Sequence, residues 1–185
     1  MPTVAFEGVK GAYSESAIYQ FFGADSQTLA CNSLLGIFEA VERGQADRGL
    51  LPVESALIGS LSRAYELLME RDLRIRAEVI INIQHTLMAA PGVKLSHLKR
   101  VRSNLQSLKQ CKKFINRYGL QPIPAFDTAS SARDLAKKPE SDLGVIASKL
   151  AAEIYELDIL QEEIEDAPYN YTRFFVLGTE DPPRA

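Results

Sequence analysis

The chain has 185 residues, 46% of them apolar, and a formal net charge of −3. That is enough apolar material for a core in one domain or two small lobes, and it excludes wholesale disorder. It also excludes the basic stripe that nucleic-acid binding needs, since Lys and Arg are scattered and Lys99-Arg100-Val101-Arg102 reads as a solvated surface turn. In chain order, Thr3–Phe6 is an apolar strand, Gly8 and Gly11 form a turn, and Ser14 caps a helix running to about Phe22. Thr28–Cys31 is a second strand, and Ser33 caps a helix over Leu34–Arg43, with Leu34, Ile37, Phe38 and Val41 at helical spacing. Arg48–Pro52 is a short buried strand ended by its proline. Leu57–Glu70 reads as helix and Leu73–Leu87 as mostly extended. A second set follows: strand Val101–Ser103, helix Asn104–Tyr118, strand Gln121–Ala125, a helix opened by Asp127 or Thr128 and running to Ala136, strand Leu143–Ile146, helix Ser148–Tyr155 and the extended Ile159–Ile164. Arg173–Leu177 is the last strand, before the polar tail GTEDPPRA.

Strands that alternate with helices predict an α/β fold with largely parallel pairing. Two βαβα sets joined through the extended stretch near Glu78–Leu87 predict two lobes, the first over about 1–80 plus 168–185 and the second over about 81–167. A last strand returning to the first lobe makes a cleft, with ligands at strand C-termini and helix N-termini. No apolar run reaches the ~18 residues of a membrane helix. The opening MPTVAFEG reads as strand and turn rather than as a signal peptide, so the expected compartment is the cytoplasm. Cys31 and Cys111 lack CxxC spacing and read as buried small apolar residues, not as a zinc or redox site. His85, in an extended apolar stretch, reads as a packed core or hinge histidine, and His97 as a surface one.

Polar clusters fall at predicted strand-to-helix junctions. In GVKGAYS, Gly8 and Gly11 let the backbone approach a ligand, and the helix that follows offers N–H donors to an anion. The spacing is GxxG, not the GxGxxG of a dinucleotide fold. In PVESALIGS, Glu54 follows a buried strand, where it either caps the next helix or takes part in chemistry. In RSNLQSLKQC, Ser103 ends a strand, and Gln106 and Gln110 share a helical face; the plain alternative is an N-cap and surface amides. FDTAS is ordinary helix capping. In NYTRF, Asn170, Thr172 and Arg173 place an amide, a hydroxyl and a carboxylate-binding fork at the entrance to a buried strand. Together the clusters suit a small polyanionic organic acid.

The ordered run GAYS, GLLPVES…GS, S-(x)6-QC, DTA, GVIAS…AAEIYEL and NYTRF resembles the prephenate dehydratase family, arogenate dehydratases included, from Val4 to Leu177. The resemblance implies two α/β lobes similar to type II periplasmic binding proteins, with the active site in the interlobe cleft. It implies decarboxylating dehydration of prephenate to phenylpyruvate, towards phenylalanine, with no cofactor and no metal. By the same resemblance Thr172 is catalytic, and Arg173, Asn170, Ser103, Gln110, Ser55 and Phe174 bind substrate together with Gly11, Ala12, Tyr13 and Ser14; Glu54 is placed beside Thr172 in the catalytic set, orienting the site or assisting a proton relay. The expected partner is the small acid itself, prephenate or arogenate, with neither nucleic acid nor membrane, and the family's habit points to a homodimer or larger assembly. The chain departs from the family pattern in two places. Ser55-Ala56 stands where the family usually has Asn-Ser, and Asn104-Leu105 stands where it often has His-Pro. Many members also carry a C-terminal ACT domain that senses phenylalanine; no such segment is expected in this sequence, which stops at Ala185. Two alternatives stand beside prephenate turnover: the same chemistry on arogenate, and a small-acid-binding module of the same fold without turnover.

Overall fold

A computed structural model describes residues 1–179; the expected polar tail from Glu180 onward lies outside them. The chain divides into two units. The first takes Met1–Val9, Ser14–Ile83 and the chain from Tyr169 onward, and the second takes Lys10–Tyr13 and Gln84–Pro168.

Unit 1 is built on a sheet in which the strands β1 (Thr3–Glu7), β2 (Gln27–Cys31), β3 (Arg48–Ser55), β5 (Arg74–Asn82) and β11 (Tyr171–Gly178) run in the order β2-β1-β3-β11-β5. A two-residue strand, β4 (Gly59–Ser60), pairs with β3. The helices are α1 (Tyr13–Phe22), α2 (Leu34–Glu42) and α3 (Ser62–Glu70). Ser33 caps α2, its hydroxyl accepting from Gly36 N. Ile37, Phe38 and Val41 of α2 and Leu67 of α3 meet Ala5, Leu51 and Val53 of the sheet in one apolar cluster. The helical spacing in the sequence and the alternation in β3 thus converge on the same core.

Unit 2 holds β6 (Thr86–Ala89), β7 (Arg100–Asn104), β8 (Gln121–Ala125), β9 (Leu143–Ala147) and β10 (Asp158–Gln161), ordered β10-β6-β9-β7-β8. Its helices are α4 (Leu105–Gln110), α5 (Lys112–Arg117), α6 (Thr128–Lys137) and α7 (Lys149–Ile154). Both faces of its sheet are covered. Leu87, Ala89, Val101 and Ile146 pack with Leu108, Cys111 and Ile115, whereas Met88, Val145 and Ala147 pack with Leu135 and Ala151. A strand buried on both sides has no polar face, which is why Leu143–Ala147 is an unbroken apolar run. Pro122 and Pro124 sit two apart in β8, the edge strand, where their missing N–H groups face the open side.

Several expectations are corrected. Pairing is mixed rather than largely parallel: β11 is antiparallel to both β3 and β5, and β6 is antiparallel to both β9 and β10. Pro52 does not end its strand. Pairing of β3 with β1 stops at Leu50, and the β11 register shifts opposite Pro52, so its missing N–H costs no ladder bond. Leu57–Glu70 is not one helix. Gly59, at φ +85°, turns the chain into β4, and α3 starts only at Ser62. The helix expected over Asn104–Tyr118 breaks at Cys111 into α4 and α5. Ser14 lies inside the first turn of α1 rather than capping it. Lys99–Arg102 is no solvated turn: Arg100 belongs to β7 and pairs with Glu140 and Asp142. Cys111 is buried, but Cys31 is only half-buried. No helix among the described residues is long and apolar enough to cross a membrane, and no cluster of three or more His, Cys, Asp or Glu among them could hold a metal.

Candidate active site

The residues singled out in the sequence fall into two sets, one in each unit. In unit 1 they gather where β11 enters the sheet. Thr172 lies opposite Ser55 of β3 and Ile81 of β5. Ala56 N donates to Tyr171 O at 2.8 Å, so the neighbouring Thr172–Ser55 pair is the narrow one, with Cα atoms ~4.5 Å apart and side chains on one face. Ser55 Oγ accepts from Leu57 N at 3.4 Å, and among the described residues no hydrogen bond engages the Thr172 hydroxyl. Asn170 is buried and clamps the end of β5, with Ile83 N donating to its carbonyl at 2.7 Å and its own Nδ2 donating to Ile83 O at 3.3 Å.

Arg173 belongs to the opposite face, because successive side chains of a strand alternate. It lies across from Glu54 and Ile80, with Nη2 at 2.9 Å from Glu54 Oε2 and Nη1 at 3.7 Å from Glu78 Oε2. A cavity of about 220 Å³ on that face is lined by Glu54, Ala56, Ile80, Tyr171 and Arg173. Glu54 is therefore a strand residue paired with an arginine. The helix-cap reading of Glu54 fails, because α3 begins after Leu61, which makes no side-chain cap bond. Phe174 is 2% exposed and packs in the core, so its ring is no contact surface for a substrate.

In unit 2 the loop of Gly11, Ala12 and Tyr13 is tied to α7. Ser148 Oγ donates to Gly11 O at 2.6 Å while accepting from Ala151 N, and Tyr155 OH donates to Lys10 O at 2.8 Å. Gly11 has φ +86°, and a Cβ there would lie 2.9 Å from Ala151 Cα, so only glycine fits. Ser14, the last residue of the loop motif, groups with unit 1. Ser103 is fully buried and donates to Ile146 O at 2.7 Å, which ties β7 to β9; the N-cap of α4 is Asn104, not Ser103. Gln110 is half-buried rather than a surface amide, and its Oε1 lies 2.5 Å from His85 Nε2. His85 Nδ1 in turn lies 2.6 Å from the Tyr13 hydroxyl. Burial lowers the His85 pKa from its ordinary 6.5, against the Gln110 bond and the charge of Glu165. Burial raises that of Tyr13 well above 10, helped by Cys111 and Glu165. The imidazole is neutral and the phenol protonated at neutral pH. His85 is the residue that reading by cluster passed over; its one local signal was a lone polar group in an apolar stretch.

A family model described as prephenate dehydratase matches residues 4–182. An Arabidopsis thaliana protein named arogenate dehydratase/prephenate dehydratase 1, chloroplastic, is 41% identical over 177 residues, which are 96% of this chain and 45% of that protein. The chain thus spans about half the length of the curated relatives it matches. Among solved structures, one titled as GqqA, a novel type of quorum quenching acylases, superposes with TM-score 0.90 at 32% identity, covering 99% of this chain and 65% of that one. The crystal structure of prephenate dehydratase in complex with L-Phe from Arthrobacter aurescens gives 0.89 at 28% identity, covering 99% and 63%. The cytoplasmic expectation is corrected here: the Arabidopsis relatives are named as chloroplastic proteins, and no observation on this chain points to the cytoplasm.

Proposed function

The chain belongs to the prephenate dehydratase family, and from that premise we propose that it catalyses the decarboxylating dehydration of prephenate to phenylpyruvate, a step in phenylalanine biosynthesis. The observation that carries the reading is the Thr172 hydroxyl, unengaged by any hydrogen bond among the described residues and set on one face with Ser55 at the mouth of the sheet. In the reaction the bond from ring C1 to its carboxylate breaks and carbon dioxide leaves. The electron pair moves into the ring, the C4–O bond breaks, and hydroxide departs and takes up a proton as water. Aromatisation drives the step, so the protein has only to hold two carboxylates and help the hydroxyl go.

Thr172 donates a hydrogen bond to the leaving oxygen. Its hydroxyl is too weak an acid to give up its proton at neutral pH, so the proton itself comes through water. Help of this kind is worth ~10²–10⁴-fold. Arg173 projects from the other face of β11, so it binds a carboxylate of the same substrate only around the end of the strand, and only where that carboxylate shares the guanidinium with Glu54 or displaces it. Positioning supplies the rest of the acceleration. Self-association into a homodimer or larger assembly is part of the same reading.

A second reading is arogenate as substrate, with phenylalanine as product, since the Arabidopsis and Petunia hybrida relatives carry that activity in their names. The test is incubation of the 185-residue chain with prephenate and separately with arogenate, following phenylpyruvate and phenylalanine. Phenylpyruvate formation that falls ~10²–10⁴-fold in Thr172→Val is the expected result. Near-normal turnover by that variant removes Thr172 from the mechanism. Phenylalanine from arogenate alone moves the chain to the second reading. The solved neighbour titled for acylases makes acylase activity the third arm, and that activity without either dehydration product would overturn both.

A further inference from the structure

Unit 2 assembles a polar chain from three distant positions. His85 is 1% exposed, yet both ring nitrogens are satisfied, Nε2 by Gln110 Oε1 at 2.5 Å and Nδ1 by the Tyr13 hydroxyl at 2.6 Å. An amide oxygen only accepts, so Nε2 carries the proton. A neutral ring then has Nδ1 as an acceptor, and the Tyr13 hydroxyl donates to it. The ring's backbone is anchored as well: His85 N donates to Glu165 Oε2 at 2.8 Å, and Ile164 N donates to His85 O at 3.1 Å. The titratable groups around it are Tyr13 at the start of α1, Cys111 between α4 and α5, and Glu165 after β10, with Asp166 beside Cys111.

We propose that His85 is a positioning residue for substrate binding. Donating from Nε2, it holds Gln110 with its carbonyl towards the ring and its donor amide away from it. Accepting at Nδ1, it holds the Tyr13 proton inward and the phenol's remaining lone pair outward. Gln110 is thereby oriented to donate to a carboxylate and Tyr13 to accept from a hydroxyl, the two group types that prephenate and arogenate carry. This deepens the dehydratase reading and rests on it. Protonation of His85 places a second N–H against the Tyr13 hydroxyl, which must then turn and lose that orientation.

The test has two arms on the 185-residue chain. In the first, ¹⁵N-histidine NMR of the wild type reads the tautomer, with His85 assigned by its loss in His85→Asn and exposed His97 as internal reference. A neutral Nε2–H ring at pH 7 is expected; an Nδ1–H ring or an imidazolium overturns the proposal. In the second arm, steady-state kinetics on prephenate and arogenate compare His85→Asn, Gln110→Ala and the double variant. KM is expected to rise roughly tenfold or more in His85→Asn, with a smaller change in kcat. The double variant should lose less than the two single losses combined, because both changes act on the Gln110 contact while the Tyr13 contact is lost only through His85. Wild-type KM should also rise as pH falls through the His85 titration, and this rise should vanish in His85→Asn. An unchanged KM in an active background, or fully additive losses, overturns the positioning role and leaves the dehydratase reading standing. A wild-type chain that turns over neither acid sinks that reading and the positioning role with it. Should His85→Asn not fold, Tyr13→Phe carries the same kinetic prediction through removal of a single oxygen.

Discussion

Replacing Gly11 by alanine links the loop at residues 10–13 to measurable stability. Two effects add. At φ +86° an L side chain costs about 1–2 kcal/mol. The new Cβ would also stand 2.9 Å from Ala151 Cα and 3.0 Å from Ala151 Cβ, and backbone of a capped helix start does not yield as a flexible side-chain tip would. Overpacking of that kind costs about 1–3 kcal/mol. The expected loss is thus about 2–5 kcal/mol, a large share of the ~5–15 kcal/mol that holds a native domain. Gly92 supplies the control, at φ +80° with no atom within 4 Å of its added Cβ, so Gly92→Ala carries only the first effect, about 1–2 kcal/mol. Urea unfolding of both variants and the wild type reads the midpoints, with unchanged slopes as the condition for comparing them. Equal losses at the two positions would show that the loop does not press on α7, and the contact argument would be refuted.

Other outcomes follow from the same geometry. Phe174→Ala empties a fully packed site in the core and should cost about 3–5 kcal/mol in urea or thermal unfolding, too large for a ring that served only as a substrate contact. Glu54→Gln removes a partly exposed ion pair with Arg173 and should change stability by less than about 1 kcal/mol; if Arg173 binds a carboxylate, the same variant should change KM for the acid substrate far more visibly than it changes unfolding. For pH, the His85 pKa is lowered in the folded state, so the unfolded chain binds the proton first as pH falls below about 6.5. The stability that neutral His85 contributes is complete above that pH and declines as pH falls towards its lowered folded value. The slope of unfolding free energy against pH in this window should flatten in His85→Asn, and an unchanged slope would show that burial does not perturb the ring.

What was legible from residue order is what local chemistry decides. Ser33 reads as a helix cap and Asp127 or Thr128 as the opening of another helix; Ser33 and Asp127 each accept from the backbone N–H three residues on, because a cap needs only its own turn. The alternation of strands and helices announced an α/β chain, and Leu143–Ile146 was legible as a strand, though its burial on both faces was not. The polar groups of NYTRF were visible as a cluster, but their division between two faces was hidden: that Thr172 meets Ser55 whereas Arg173 meets Glu54 depends on the register of β11 against β3, strands more than a hundred residues apart. Pro52 inside a strand and Gly59 turning into β4 misled for the same reason, since whether a missing N–H or a positive φ matters depends on which neighbour lies alongside. Pairing direction was likewise decided only when β11 came to lie between β3 and β5. The Tyr13–His85–Gln110 chain shows the division most plainly. Sequence order supplies three groups able to hydrogen-bond, but only tertiary packing removes the water around His85 and leaves each ring nitrogen a single partner, which turns a lone histidine in an apolar stretch into a group with one proton arrangement.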